Sequence, residues 1–211
     1  MARPTCYRCL RPRVSCVCGL ITPVDNRTRV VIVQHPRERR HPFGTVRLAR
    51  LGLRNAELHV ASRDDDERTR CPPRAPPGAA LLYPGPTARP LGEDEPPAAL
   101  VVLDGTWPSS RVLLRDNPWL QALPRVCLRP AGPGRYRIRR APRPGVQLST
   151  IEAIVGALRI LEPDTPGLLE LLAAFDGMID HQLALAAGRA AAGETSRPPA
   201  DTKPPEALPP S

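Results

Sequence analysis

The sequence predicts an α/β fold on a largely parallel sheet, and three observations carry that expectation. Short apolar, β-branched runs alternate with segments of helical character, the pattern of parallel strands joined by helices. One such run, Ala98 to Leu103, ends in Asp104-Gly105-Thr106-Trp107, an acid and a ring at the carboxyl end of a buried strand. Ligands bind at that end of the strands in open α/β sheets. Finally, 211 residues with 29 prolines and 15 glycines suit one core divided into many short elements.

The elements follow in order. Residues 1–28 form a Cys-rich, loop-like head. Arg29 to Val33 is a strand closed by Gln34-His35-Pro36, Thr45 to Leu53 a short helix, and Glu57 to Ala61 a second strand. Asp64 to Glu67 reads as a solvated loop, and Cys71 to Gly78 as a Pro-rich connection. Ala79 to Tyr83 and Ala98 to Leu103 are further strands around an acidic, proline-bearing loop. Helices are expected from Ser109 to about Arg115 and from Pro118 to Leu123. Arg125 to Leu128 and Tyr136 to Arg139 read as strands. Ser149-Thr150-Ile151-Glu152 is a capping-box pattern opening a helix to about Glu162. A long helix runs from Leu168 to Ala187. The expected division is a head (1–28), a main domain (29–190) and a disordered Pro- and Ala-rich tail (191–211).

The net charge of +9 is uneven. Residues 1–54 carry twelve Arg against Asp25 and Glu38, and residues 111–143 carry nine Arg against Asp116. The remaining segments are net acidic. Two separated basic blocks suit a polyphosphate partner, namely nucleic acid. Lys203 is the only lysine, so a GC-rich genome would explain the choice of Arg, but not its clustering. No apolar run reaches membrane-helix length, and the start lacks the apolar core of a signal peptide. A cytoplasmic protein is expected.

Cys6-x-x-Cys9, six residues, then Cys16-x-Cys18 place four thiols within thirteen residues. That spacing suits a tetrahedral zinc, whose closed four-thiolate site is structural. Two disulfides are disfavoured by a reducing compartment and by the closeness of Cys16 to Cys18. Arg8, Arg11 and Arg13 between these cysteines are then held for phosphate contact. Cys71 and Cys127 are isolated packing residues. Taken singly, His35-Pro36-Arg37-Glu38 is a polar turn, Ser149-Thr150-x-Glu152 a helix cap, and Tyr136 to Arg140 a strand with one basic face.

Taken in order, these pieces resemble the DTW-domain family of tRNA-uridine aminocarboxypropyltransferases. The resemblance runs from Cys6 to about Glu162. It rests on Cys-x-Arg-Cys-x-Arg-Pro at 6–12 with Cys16-Val-Cys18, on His35-Pro-Arg-Glu38, and on Asp104-Gly-Thr-Trp107. Tyr136-Arg-Ile-Arg139 and Leu148-Ser-Thr-Ile-Glu-Ala-Ile154 complete it. Two departures stand out. Phe43-Gly44-Thr45-Val46 keeps only the Thr of the family's Ser-Asn-Thr-Gly, and Ser110 replaces a usual Ala.

The resemblance implies a SPOUT-like fold with S-adenosylmethionine in a bend formed by a C-terminal trefoil knot. It also implies transfer of the 3-amino-3-carboxypropyl group to N3 of a tRNA uridine. Donor binding would fall to Leu103, Asp104, Gly105, Thr106 and Trp107 together with Leu148, Ser149, Thr150 and Glu152. Contacts to tRNA would come from Arg8, Arg11, Arg13, His35, Glu38, Arg137, Arg139 and Arg140. Asp104 is the candidate general base for the N3 proton, or else the group that holds the donor's ammonium. Trp107 would stack on adenine or on the target base, or simply anchor the next helix. The rival functions are a methyltransferase of the same fold and a non-catalytic zinc-knuckle RNA-binding protein.

Overall fold

The computed structural model describes residues 4–39, 41, 44–93, 95–129, 134–135 and 148–194. Its centre is a six-stranded sheet in the order β2-β1-β7-β5-β8-β6, every neighbouring pair parallel. The strands are β1 (Arg29–Gln34), β2 (Ala56–Val60), β5 (Ala79–Leu82), β6 (Arg89–Pro90), β7 (Ala99–Asp104) and β8 (Arg125–Cys127). Two short strands, β3 (Ser62–Arg63) and β4 (Thr69–Arg70), pair antiparallel beside it. The acidic stretch 64–67, read as a loop, is the turn of that hairpin. Neither this hairpin nor β6 is legible in the sequence, because two-residue strands carry no periodicity.

The strands β1 and β7 are buried on both faces, and residue parity decides which helices each face meets. Val30, Ile32, Leu100 and Val102 pack with α1 (Val46–Gly52), α4 (Thr150–Leu161) and α5 (Leu168–Glu194). Val31, Val33, Val101 and Leu103 pack with Leu113 of α2 (Trp107–Asp116) and Leu120 of α3 (Pro118–Gln121). Helices therefore cover both faces, as buried parallel strands require. From β1 the chain runs outward through α1 to β2, whereas from β7 it runs the other way through α2 and α3 to β8. The ends of β1 and β7 thus flank a topological switch point, where such sheets open a crevice.

The Cys-rich segment shares the core of the sheet and its helices. Cys9, Val17, Ile21 and Val24 join the same core as Phe175, Met178 and Ile179 of α5. Glu162, 1% exposed, accepts from the backbone N–H groups of Arg27 and Thr28 at 2.8 and 3.2 Å and from the Thr165 hydroxyl at 2.6 Å. This ties the link between head and β1 to the end of α4. The long helix α5 continues to Glu194, past the expected end at Ala187 and into the segment expected to be a disordered tail. The expected strand Tyr136–Arg139 lies outside the described residues. So does most of the link between β8 and α4, where the resemblance implies the knot. Among the described residues no helix is long and apolar enough to cross a membrane.

Candidate active site

Asp104 is the last residue of β7, 6% exposed, and in register with Gln34 at the end of β1. Equivalent positions on neighbouring parallel strands project to one face, here the face covered by α4. The Gln34 amide donates to Asp104 Oδ2 at 2.8 Å, and the Thr150 hydroxyl donates to Oδ1 at 2.6 Å. Each carboxylate oxygen has its own donor, which fixes the orientation of the group. The His35 N–H donates to the Asp104 carbonyl at 2.9 Å, extending the β1–β7 ladder by one residue.

A cavity of about 300 Å³ opens along the carboxyl ends of β7, β5 and β8; Asp104 does not itself line it, but its chain neighbours Leu103 and Gly105 and its hydrogen-bond donor Thr150 do. Leu103, Gly105, Trp107, Leu148 and Thr150 line it, so five of the nine residues expected to hold the donor converge there. Its volume suits a small organic ligand. Tyr83, at the end of β5, also lines it and meets Trp107 edge to face at 5.9 Å between ring centroids. Arg125 lies 5.8 Å from the Tyr83 centroid. Sequence reasoning passed over Tyr83 and Gln34. Only scarcity singles out Tyr83, since the chain has three tyrosines, and nothing local marks Gln34.

The other expected donor-site residues stand behind the wall. Thr106 caps α2, its hydroxyl oxygen accepting from the Ser109 N–H at 3.3 Å. The helix therefore begins at Trp107, two residues before the expected start, and holds the half-exposed ring at its first turn. Ser149 and Glu152 form the expected capping box, in which Glu152 Oε2 accepts from the Ser149 N–H at 2.9 Å and its hydroxyl at 2.6 Å. Glu152 Oε1 accepts from the Arg135 N–H at 2.5 Å. Both Glu152 oxygens are thus occupied in holding the α4 entry loop rather than facing the cavity. Space at Gly105 is tight: a Cβ there would sit 3.0 Å from Ser109 Cβ, which would have to give by a few tenths of an ångström, and 3.5 Å from His35 Cβ.

Three of the expected tRNA contacts need correction. Arg11 is 3% exposed, and its guanidinium points inward, donating to Met178 Sδ at 2.8 Å and to the Gly44 carbonyl at 3.4 Å. It joins the head to α5 and cannot reach an external phosphate. Glu38 and His35 are each 7% exposed. Burial removes both from an outer RNA surface and makes them supports of the loop after β1. Arg8 and Arg13 are exposed, as a phosphate contact requires. Arg137, Arg139 and Arg140 lie outside the described residues.

His35 caps the short helical turn Pro36–Glu38, its Nδ1 accepting from the Arg37 N–H at 3.3 Å. That bond needs the neutral ring. Burial, helped by the Arg37 charge, lowers the His35 pKa from its ordinary 6.5. The unfolded chain therefore binds the proton more readily than the folded one. Stability is complete above about pH 6.5 and declines as pH falls below it. In denaturant titrations His35→Gln is expected to flatten that decline. An unchanged slope would remove His35 as its source.

In the head, the Sγ atoms of Cys6, Cys9, Cys16 and Cys18 all lie within 4.8 Å of one another. The Cys6–Cys18 and Cys9–Cys16 separations are both 3.8 Å, far too long for a disulfide. Four thiolates about 2.3 Å from one tetrahedral ion would stand about 3.8 Å apart, so the donor set fits zinc in chemistry and span. Backbone N–H groups of Cys9 and Arg8 directed at Cys6 lower its pKa to about 6. Burial and the neighbouring thiols push Cys18 up to about 12. Arg47 of α1 donates to the Cys9 carbonyl at 3.0 Å and the Arg39 carbonyl at 2.7 Å, linking this knuckle to the loop that follows β1.

Together these features define an α/β protein with a ligand cavity at the carboxyl ends of a parallel sheet and a four-cysteine head. The chain belongs to the DTW domain family, whose model matches residues 3–183. It is 32% identical over 170 residues to tRNA-uridine aminocarboxypropyltransferase 2 of Drosophila melanogaster, covering 76% of this chain and 67% of that protein. The protein of the same name from Macaca fascicularis is 33% identical over 174 residues, covering 76% and 57%. tRNA-uridine aminocarboxypropyltransferase A of Arabidopsis thaliana is 28% identical over 203 residues, covering 77% and 74%. The chain thus spans 57 to 67% of the length of these two animal relatives. No solved structure matches it.

Proposed function

We propose that this protein transfers the 3-amino-3-carboxypropyl group of S-adenosylmethionine to N3 of a uridine in tRNA. The observation that carries the reading is Asp104, fixed by Gln34 and Thr150 beside a cavity edged by Tyr83 and Trp107. In the reaction the bond from the sulfonium sulfur to the aminocarboxypropyl carbon breaks, and methylthioadenosine leaves with that electron pair. The new bond forms to uridine N3, whose proton must go to a base or to solvent. The two donors hold the carboxylate in one orientation. Asp104 therefore serves first as a fixed negative charge for the donor's ammonium, and Trp107 and Tyr83 offer ring faces or edges to a base.

The relatives' names support the same activity. A SPOUT-like arrangement, with the donor in a knotted bend leading into α4, accommodates the placement of Leu148 and Thr150 at the cavity. The head's four thiols take zinc as a structural ion, in keeping with a reducing, cytoplasmic setting. Arg8 and Arg13 supply phosphate contacts. The test is incubation with unmodified tRNA and donor labelled separately at the carboxyl and at the methyl. Carboxyl label entering RNA supports this activity. Methyl label makes the protein a methyltransferase, and label in neither position leaves an RNA-binding protein.

A further inference from the structure

The hairpin that carries Cys6 and Cys9 presents its largest side chain to solvent. Tyr7 is 91% exposed, in a chain with only seven aromatic residues. A ring so exposed buries almost no area, so it contributes almost nothing to the stability of the fold. The backbone beneath it is nevertheless tightly held. Thr5 and Pro12 form an antiparallel bridge, the Cys6 N–H donates to the Arg11 carbonyl at 2.7 Å, and the Arg13 N–H donates to the Pro4 carbonyl at 2.8 Å. The Leu10 N–H returns to the Cys6 carbonyl at 2.8 Å, closing the turn that bears Tyr7, and Leu10 itself has φ +56°. A non-glycine residue in that conformation costs free energy, so the turn is imposed by its surroundings. The buried Arg11 and the partly buried Arg47 then bolt this turn to α5 and α1.

The charges on this hairpin are of one sign. Arg8 and Arg13 are exposed on the same hairpin, and no acidic residue precedes Asp25. A flat exposed ring among cations, on a rigid support, matches what single-stranded nucleic acid recognises: a stacking face and phosphate contacts. An apolar protein partner would bury Leu10, Val14 and Leu20 as well, but it would supply nothing for the arginines.

We propose that Tyr7 is a stacking platform for an unpaired base of the tRNA, with Arg8 and Arg13 holding the adjoining phosphates. The proposal rests on the tRNA reading above and adds a contact remote in sequence from the Asp104 cavity. The platform positions the substrate and takes no part in bond making. Tyr7→Ala therefore acts on tRNA affinity alone.

The test uses the full, zinc-loaded chain. It measures tRNA binding by fluorescence anisotropy and transfer in a single turnover at saturating tRNA. Tyr7→Ala is expected to weaken binding roughly tenfold, while Tyr7→Trp restores it. The saturated rate stays within twofold of wild type in both variants. Unchanged affinity in Tyr7→Ala, or failure of Tyr7→Trp to restore binding, overturns the platform while leaving the transferase reading intact. A lowered saturated rate in Tyr7→Ala with unchanged affinity also overturns it. Wild-type protein that binds tRNA no better than duplex DNA of equal charge overturns both. Loss of affinity for a lysate protein, but not for tRNA, would assign the patch to a protein partner instead.

Discussion

Asp104→Asn is expected to lower aminocarboxypropyl transfer by roughly 10²- to 10⁴-fold while tRNA affinity stays within twofold of wild type. The substitution keeps the shape and removes the charge. It also keeps the hydrogen bonds: the new amide oxygen accepts from Gln34, and the NH2 donates to the Thr150 hydroxyl, which turns to accept. The variant therefore remains folded. Thr150→Val tests the same arrangement more gently. It leaves the charge but removes the Thr150 hydrogen bond, and its loss of rate should be much smaller than that of Asp104→Asn. Full activity in Asp104→Asn would sink any role for the carboxylate. If Asp104 holds the ammonium, the loss appears mainly as weaker donor binding. If it takes the N3 proton, the saturated rate falls and rises again at higher pH, where uridine ionises unaided.

With the four thiols holding zinc as proposed, removing that ion, or making Cys9→Ser, is expected to lower the melting temperature by about 10 °C or more. The reason lies in where the head sits. Cys9 is 1% exposed and shares a core with Val17, Ile21, Phe175 and Met178, so loosening the knuckle uncovers the side of α5. Arg11 is drawn out with it, losing its contacts to Met178 and Gly44. Differential scanning calorimetry alongside metal analysis checks this. Complete metal loss with an unchanged melting temperature would deny the ion a structural part. Intrinsic catalysis at the Asp104 cavity should survive in the fraction that stays folded, because no head cysteine lines that cavity.

The sequence readings that held depended on local pattern. The β1, β5 and β7 runs are apolar because both sheet faces are covered, and such runs announce themselves. The capping box at Ser149–Glu152 and the cysteine spacing 6, 9, 16, 18 are likewise satisfied within one short stretch of chain. Readings that failed asked for a property of the whole molecule. Nothing in Arg8, Arg11 and Arg13 says which guanidinium turns inward. The answer depends on Met178, 167 residues away from Arg11. His35 and Glu38 looked like surface polar groups because a turn after a strand is usually solvated. Here the fold buries them.

By itself the sequence determined the kinds of element, their order, the parallel α/β architecture, the four-thiol cluster and the acid at the end of β7. Only the tertiary structure decided what that acid meets. Gln34 reaches Asp104 across 70 residues and Thr150 across 46, and both contacts arise from strand register and from the seating of α4 on one sheet face. Local propensity sets the conformation of a segment, but it carries no information about which segments become neighbours. Register and docking come from burying apolar area across the whole sheet, and the polar triad at its edge is carried into place by that packing.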